Sequence, residues 1–196
     1  WCVLKTMRHR GFTLIELMIG LAVLGVLMAL GVPLVQNALT NARLKAAATS
    51  FSSGIQFARA QAISGNETVR FVQQPAGTLG WQVVLPANPT RNLVSNTALP
   101  RNDDEVIQTK PASEAAGDRV TVGFVGTAFT RIDFNGLGRP TFVGGGPAGE
   151  YRITSPADGA CADAGGAVRC LNIVISAAGQ VRLCDRAATA GDTRAC

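Results

Sequence analysis

The sequence predicts an α+β fold, in which one long N-terminal helix packs on an antiparallel β-sheet domain. Three observations carry this reading. Residues Phe12 to Val35 form an almost uninterrupted apolar run. Leu44, Ala48, Phe51, Ile55, Ala58 and Ala62 then recur at alternating spacings of four and three, which is one face of a helix. Beyond Gly65 the pattern changes to short runs rich in β-branched and aromatic residues, separated by turn-forming residues.

The apolar run contains a single charge, Glu16. At about 1.5 Å per residue, 24 helical residues span roughly 36 Å, enough to cross a bilayer. The short flank before it carries Lys5, Arg8 and Arg10 without an acid, so the N-terminus is expected to stay cytoplasmic and the remainder to face outward. A cleaved secretory signal would need a small-x-small site after the run, and the stretch Leu30-Gly31-Val32-Pro33-Leu34 offers none. Glu16 also sets the run apart from an ordinary anchor. A carboxylate in an apolar helix costs about 2.5–3.5 kcal/mol at the membrane centre and asks for a cationic partner. No Lys or Arg occurs between Phe12 and Asn41. Cleavage between Gly11 and Phe12 would create an α-amine four residues before Glu16.

The amphipathic stripe extends the helix through Ser64, giving roughly 80 Å in all by the same rise, with a bend or loosening expected between Gly31 and Pro33. Arg43, Lys45, Thr49 and Arg59 lie off the stripe, and Gly65-Asn66 reads as the stop signal. Strands are expected at 67–73, 80–85, 119–125, 130–134, 150–154 and 171–176. Turn signals lie between them at Pro75-Ala76-Gly77, Asn135-Gly136, Gly144-Gly145-Gly146-Pro147 and Ala178-Gly179. Residues 86–118 are polar and Pro-rich, and read as a surface excursion with one short strand around Val106.

Composition narrows the function. The 196 residues are 47% hydrophobic and 16% charged, which excludes a disordered chain. The net charge of +5 is confined to the start: residues 1–11 carry +3, residues 12–65 carry +2, and residues 66–196 carry 12 basic and 12 acidic side chains. The sheet domain therefore has no general field for nucleic acid. The single histidine, His9, excludes Ser-His-Asp triads, Cys-His pairs and most metal centres. Gly144–Gly146 does not follow the phosphate-loop pattern, and Asp103-Asp104-Glu105 reads as a solvated loop face rather than a metal site. No enzymatic activity, metal or cofactor is expected. The first Met is Met7, opening the basic run Met7-Arg8-His9-Arg10-Gly11, and translation is expected to begin there. That would remove Cys2 and leave four late cysteines, Cys161, Cys170, Cys184 and Cys196.

The segment Arg10-Gly11-Phe12-Thr13-Leu14-Ile15-Glu16-Leu17 resembles the class III signal of type IV pilins and type II secretion pseudopilins. Phe51–Ala62, Asp133–Arg139 and Ile175–Cys184 resemble motifs of the GspH/FimT family within that superfamily. The resemblance implies a pilin fold, with residues 1–11 as a prepilin leader, 12–35 as the transmembrane and assembly helix, 36–65 as its amphipathic continuation, and 66–196 as a β-rich periplasmic domain. It implies a prepilin peptidase that cuts after Gly11 and methylates the amine of Phe12. Glu16 would then pair with the amine of a neighbouring subunit during assembly. The expected role is a minor subunit of a type IV pilus or type II secretion pseudopilus, at or near the filament tip or priming assembly. The expected partners are other pilins and the inner membrane, with the chain passing from a single-span membrane form into the filament.

Four cysteines fit an oxidising compartment and allow three connectivities. The favoured pairing is Cys161–Cys170, across Asp163–Gly166, with Cys184–Cys196 tying the tail to the last strand. A zinc site is the alternative, disfavoured by the lack of a close CxxC pair and of histidine. A second functional reading is DNA capture for natural transformation, through Arg182, Arg186 and Arg194. DNA-binding FimT proteins share a GRxR motif near this place. Here the run is Gly179-Gln180-Val181-Arg182, with Gln180 where that motif has its first Arg.

Overall fold

The computed structural model describes residues 12–87, 104–114 and 119–196; of residues 30–34 and 114 only the backbone is described. The leader residues 1–11, with Met7 and Gly11, lie outside the described residues. So does most of the 86–118 excursion.

One helix, α1 (Leu14–Gly65), takes up 52 residues, and its helical assignment runs without a break through Pro33. The expected loosening near Gly31–Pro33 does not interrupt it. The described residues fall into two units, divided between Ala38 and Leu39. In the first, Phe12, Leu14, Ile15, Leu17, Met18, Leu21 and Leu27 are exposed apolar side chains. Among the described residues no helix is long and apolar enough to cross a membrane.

In the second unit all six residues of the predicted stripe are buried: Leu44, Ala48, Phe51, Ile55, Ala58 and Ala62. The helix ends as the sequence suggests, by a specific device. Asn66 adopts a left-handed φ of 48°. The Asn66 amide donates to Ile63 O at 3.3 Å and the Glu67 amide to Ala62 O at 3.1 Å. These two bonds satisfy carbonyls that a helix end leaves open.

Among the described residues nine strands follow. A five-stranded antiparallel sheet has the order β3 (Glu105–Lys110), β2 (Trp81–Leu85), β1 (Val69–Gln73), β5 (Arg131–Phe134), β6 (Pro140–Val143). A four-stranded antiparallel sheet has the order β4 (Thr121–Phe124), β7 (Gly149–Thr154), β8 (Leu171–Ile175), β9 (Val181–Cys184). The six expected strands are present, as is the one around Val106, which forms the edge strand β3. Strands β6 and β9 are additional to the expectation.

The core lies where the helix meets both sheets. Phe51 of α1 sits edge-on to Phe71 of β1 at 5.4 Å and to Tyr151 of β7 at 5.0 Å. One helical side chain thus joins the two sheets, and such aromatic pairs add about 0.5–1.5 kcal/mol each beyond area burial. Gln73 at the end of β1 donates its amide to Thr78 O and Val122 O, linking the first sheet to β4 of the second. Burial pushes the Tyr151 phenol well above its ordinary range.

Candidate functional site

The N-terminal features of the predicted signal begin at Phe12, which is 84% exposed. Thr13 is the residue before α1, and its Oγ1 accepts the backbone N–H of Glu16 at 3.3 Å. Its carbonyl accepts from Leu17 N at 3.2 Å. Thr13-Leu14-Ile15-Glu16 therefore has the sequence of a capping box, with Glu16 in the first turn, where a negative charge suits the helix dipole. The sequence reading takes Glu16 only as an assembly residue; the Thr-x-x-Glu spacing carries this second, local role. Among the described residues no cation pairs with Glu16.

The cysteines are joined as Cys161–Cys170, with Cα atoms 5.4 Å apart, and Cys184–Cys196, with Cα atoms 5.0 Å apart. Gly165, at φ 82°, turns the chain inside the first loop. The second bridge fastens the tail to β9, next to the parallel bridge between Asp185 and Ala195. Among the described residues no group of three or more His, Cys, Asp or Glu could hold a metal ion.

The three candidate DNA-contacting arginines differ in their surroundings. Arg186 Nη2 donates to Glu150 Oε1 at 3.0 Å, and Glu150 also accepts from the buried Asn172. Arg194 binds Asp192 through a forked contact, with Nη2–Oδ2 at 2.6 Å. The guanidinium and the Arg194 amide together hold the Asp192 carboxyl down at about 2. Arg182 has no ion pair among the described residues; its Nη2 makes a long contact of 3.5 Å to Cys196 O. The structure does not bring the three together into one free cationic surface: two are committed to carboxylates that lie 36 and 2 positions away in sequence.

A different basic residue joins Arg182. Arg59, off the stripe by periodicity, is half-buried, and its Nε donates to Gly138 O at 3.1 Å. Gly138 and Gly179 both have left-handed φ, 72° and 79°. Asn135 Oδ1 accepts from the Leu137 and Arg139 amides and so shapes the β5–β6 turn. Ser176 shapes the β8–β9 turn through bonds to Gly179 N and Gln180 N. The two turns meet beside the last turns of α1. A Cβ on Gly179 would lie 2.1 Å from Gly138 O, and one on Gly136 would lie 2.4 Å from Asn66 Oδ1. The three stretches with family resemblance thus converge at one end of the domain. Between them lies a groove of about 620 Å³ lined by Gln56, Arg59, Ala60, Ile63, Gln180, Val181 and Arg182. No signal in the sequence could have placed Arg59 here, because the contact spans 79 positions.

Two family models match the chain. One, type II transport protein GspH, covers residues 47–179. The other, the prokaryotic N-terminal methylation motif, covers residues 6–32. Among solved structures the chain is similar to the type IV minor pilin FimU of Pseudomonas aeruginosa, at 17% identity and a TM-score of 0.49, over 71% of this chain and 87% of that one. It is also similar to Escherichia coli GspH, at 14% and 0.45 over 79% and 93%. A third is the minor pseudopilin EpsH from the type 2 secretion system of Vibrio cholerae, at 12% and 0.45 over 74% and 99%. With its GspH match spanning well over half its length, and the methylation motif ahead of it, the chain belongs to the GspH family of type II transport proteins.

Proposed function

We propose that this protein is a minor pilin or pseudopilin that is cut after Gly11, N-methylated on Phe12, anchored in the inner membrane by residues 12–35 and placed at or near the tip of a filament, where it helps prime assembly. Its family is one of structural pilin-type subunits, not of enzymes. The observation that carries the proposal is Glu16, an exposed carboxylate in an apolar helix with no cationic partner among the described residues, inside the stretch matched by the methylation motif. The α-amine of Phe12 on a neighbouring subunit supplies the missing partner. The Thr13 cap keeps the first turn helical up to that charge.

The test is Glu16→Ala in cells that carry the other filament subunits. The variant inserts in the membrane at least as well as the parent, because the one charge of the apolar run is gone. It fails to enter the filament. Normal incorporation of Glu16→Ala contradicts the proposed role.

DNA capture is the second reading, and Arg182 supports it as the tail arginine that has no ion pair among the described residues. With Arg186 and Arg194 engaged, a single phosphate contact from the tail predicts a salt slope of only about −1. Titration of labelled duplex against the purified chain at two salt concentrations measures it. A slope steeper than about −3 would require arginines that the ion pairs now occupy.

A further inference from the structure

The groove beside the end of α1 has a composition that the filament role alone does not explain. Arg59 and Arg182 both line it, and no carboxylate does. Among the described residues neither guanidinium has an ion pair with a side chain, and Arg182 makes only the long 3.5 Å contact from Nη2 to Cys196 O. Arg59 is held by its Nε bond to Gly138 O, which fixes the plane of the guanidinium and leaves its two Nη groups for another acceptor. Such a pre-set fork suits bidentate contact with a carboxylate or phosphate. The rest of the lining is apolar or neutral. Ala60, Ile63 and Val181 form an apolar strip, with Ile63 48% exposed, and Gln56 and Gln180 flank it. Leu137, 77% exposed, stands on the turn next to Gly138.

A second basic groove of the domain differs in its charges. It is lined by Lys45, Arg169 and Arg194, but it contains Asp185, and Arg194 is tied to Asp192. Its charges are largely answered from within. Those of the groove at the helix end are not.

We propose that the groove of Arg59 and Arg182 docks an acidic segment of another subunit of the same assembly, with one or two carboxylates on the arginines and an apolar side chain against Ala60, Ile63 and Val181. The assignment rests on the filament reading above. Charge complementarity selects the carboxylate. The apolar strip selects a polypeptide over a nucleic acid, which would meet two cations in this groove, on a domain whose sheet portion, residues 66–196, has no net charge. Buried apolar anchors with charged contacts around them are the usual anatomy of a specific protein interface.

The experiment places a photoreactive phenylalanine analogue at Gln180 of the full chain, produced in cells together with its filament partners. After irradiation the adduct is identified by mass spectrometry. The expected product is a cross-link to another filament subunit, at a segment that contains Asp or Glu. Its yield falls about five- to tenfold with Arg182→Gln and with Arg59→Gln, the loss expected of a charge-assisted pair. It is unchanged with Arg139→Gln, an exposed arginine outside the groove. Arg59 also braces the Gly138 turn, so the variant at the exposed Arg182, whose contact is the long one to Cys196 O, is the less disturbing of the two. A cross-link insensitive to Arg182→Gln, a cross-link to nucleic acid, or none at all overturns the proposal. Filament incorporation is scored in the same cells. An incorporated chain without the adduct overturns the groove alone, whereas a chain that never enters filaments overturns the filament reading with it.

Discussion

Arg59 and Gly138 are joined by a hydrogen bond of 3.1 Å, from guanidinium to backbone carbonyl, that locks the last turns of the helix onto the β5–β6 turn. Gly179 packs against the same carbonyl from the β8–β9 turn. The contact requires glycine twice over, for left-handed φ and for closeness. Gly179→Ala would set a Cβ 2.1 Å from Gly138 O. The expected loss of stability is about 1–3 kcal/mol, read as a lower midpoint in denaturant with an unchanged slope. An unaltered midpoint would mean that the two turns are not packed as described.

Gly54 faces Trp81 in the same way inside the core. A Cβ there would lie 2.6 Å from Trp81 Cε2. Alanine in a helix gains about 1 kcal/mol over glycine, whereas overpacking costs about 1–3 kcal/mol. Trp81 is 4% exposed and its Nε1 has no hydrogen-bond partner among the described residues, so the ring depends on packing. Gly54→Ala is expected to lower the melting temperature and to shift the indole emission of Trp81. A rise in melting temperature would show that helix propensity prevails.

The disulfides enclose short loops, with sequence separations of 9 and 12. In the chain-entropy model each contributes about 2–3 kcal/mol. Protein purified without reductant should show no free thiol at Cys161, Cys170, Cys184 or Cys196, and reduction should lower the melting temperature. Two or more titratable thiols among these four would contradict the pairing.

Asp192 gives a pH prediction. The side chain and amide of Arg194 depress its carboxyl from 3.8 to about 2. A group depressed on folding contributes fully above its ordinary value, and the contribution is lost as pH falls through the folded value. The Asp192 carboxyl resonance should therefore titrate near 2, and in Arg194→Gln it should return towards 3.8. An unchanged titration in the variant would place the cause elsewhere.

Much of the fold is legible in the sequence, for physical reasons that differ from place to place. The stripe from Leu44 to Ala62 is legible because helical periodicity and burial coincide at all six positions. The central strands are legible because each is dense in β-branched and aromatic residues. β6 escapes because it is four residues long, opens on Pro140 and buries only Phe142. β9 escapes because Val181–Cys184 alternates too briefly, with only Cys184 buried. The site is less legible than the fold. Glu16 stands out as one charge in an apolar run. The partners of Arg186 and Arg59, by contrast, depend on which strands and turns lie side by side, and no local pattern encodes that.

The most direct measurement of the central claim is the intact mass of the protein recovered from membranes of cells that carry a prepilin peptidase. The account predicts a chain beginning at Phe12 with one added methyl group on its α-amine, and residues 1–11 gone. A retained leader, or a new N-terminus near Pro33, would contradict it.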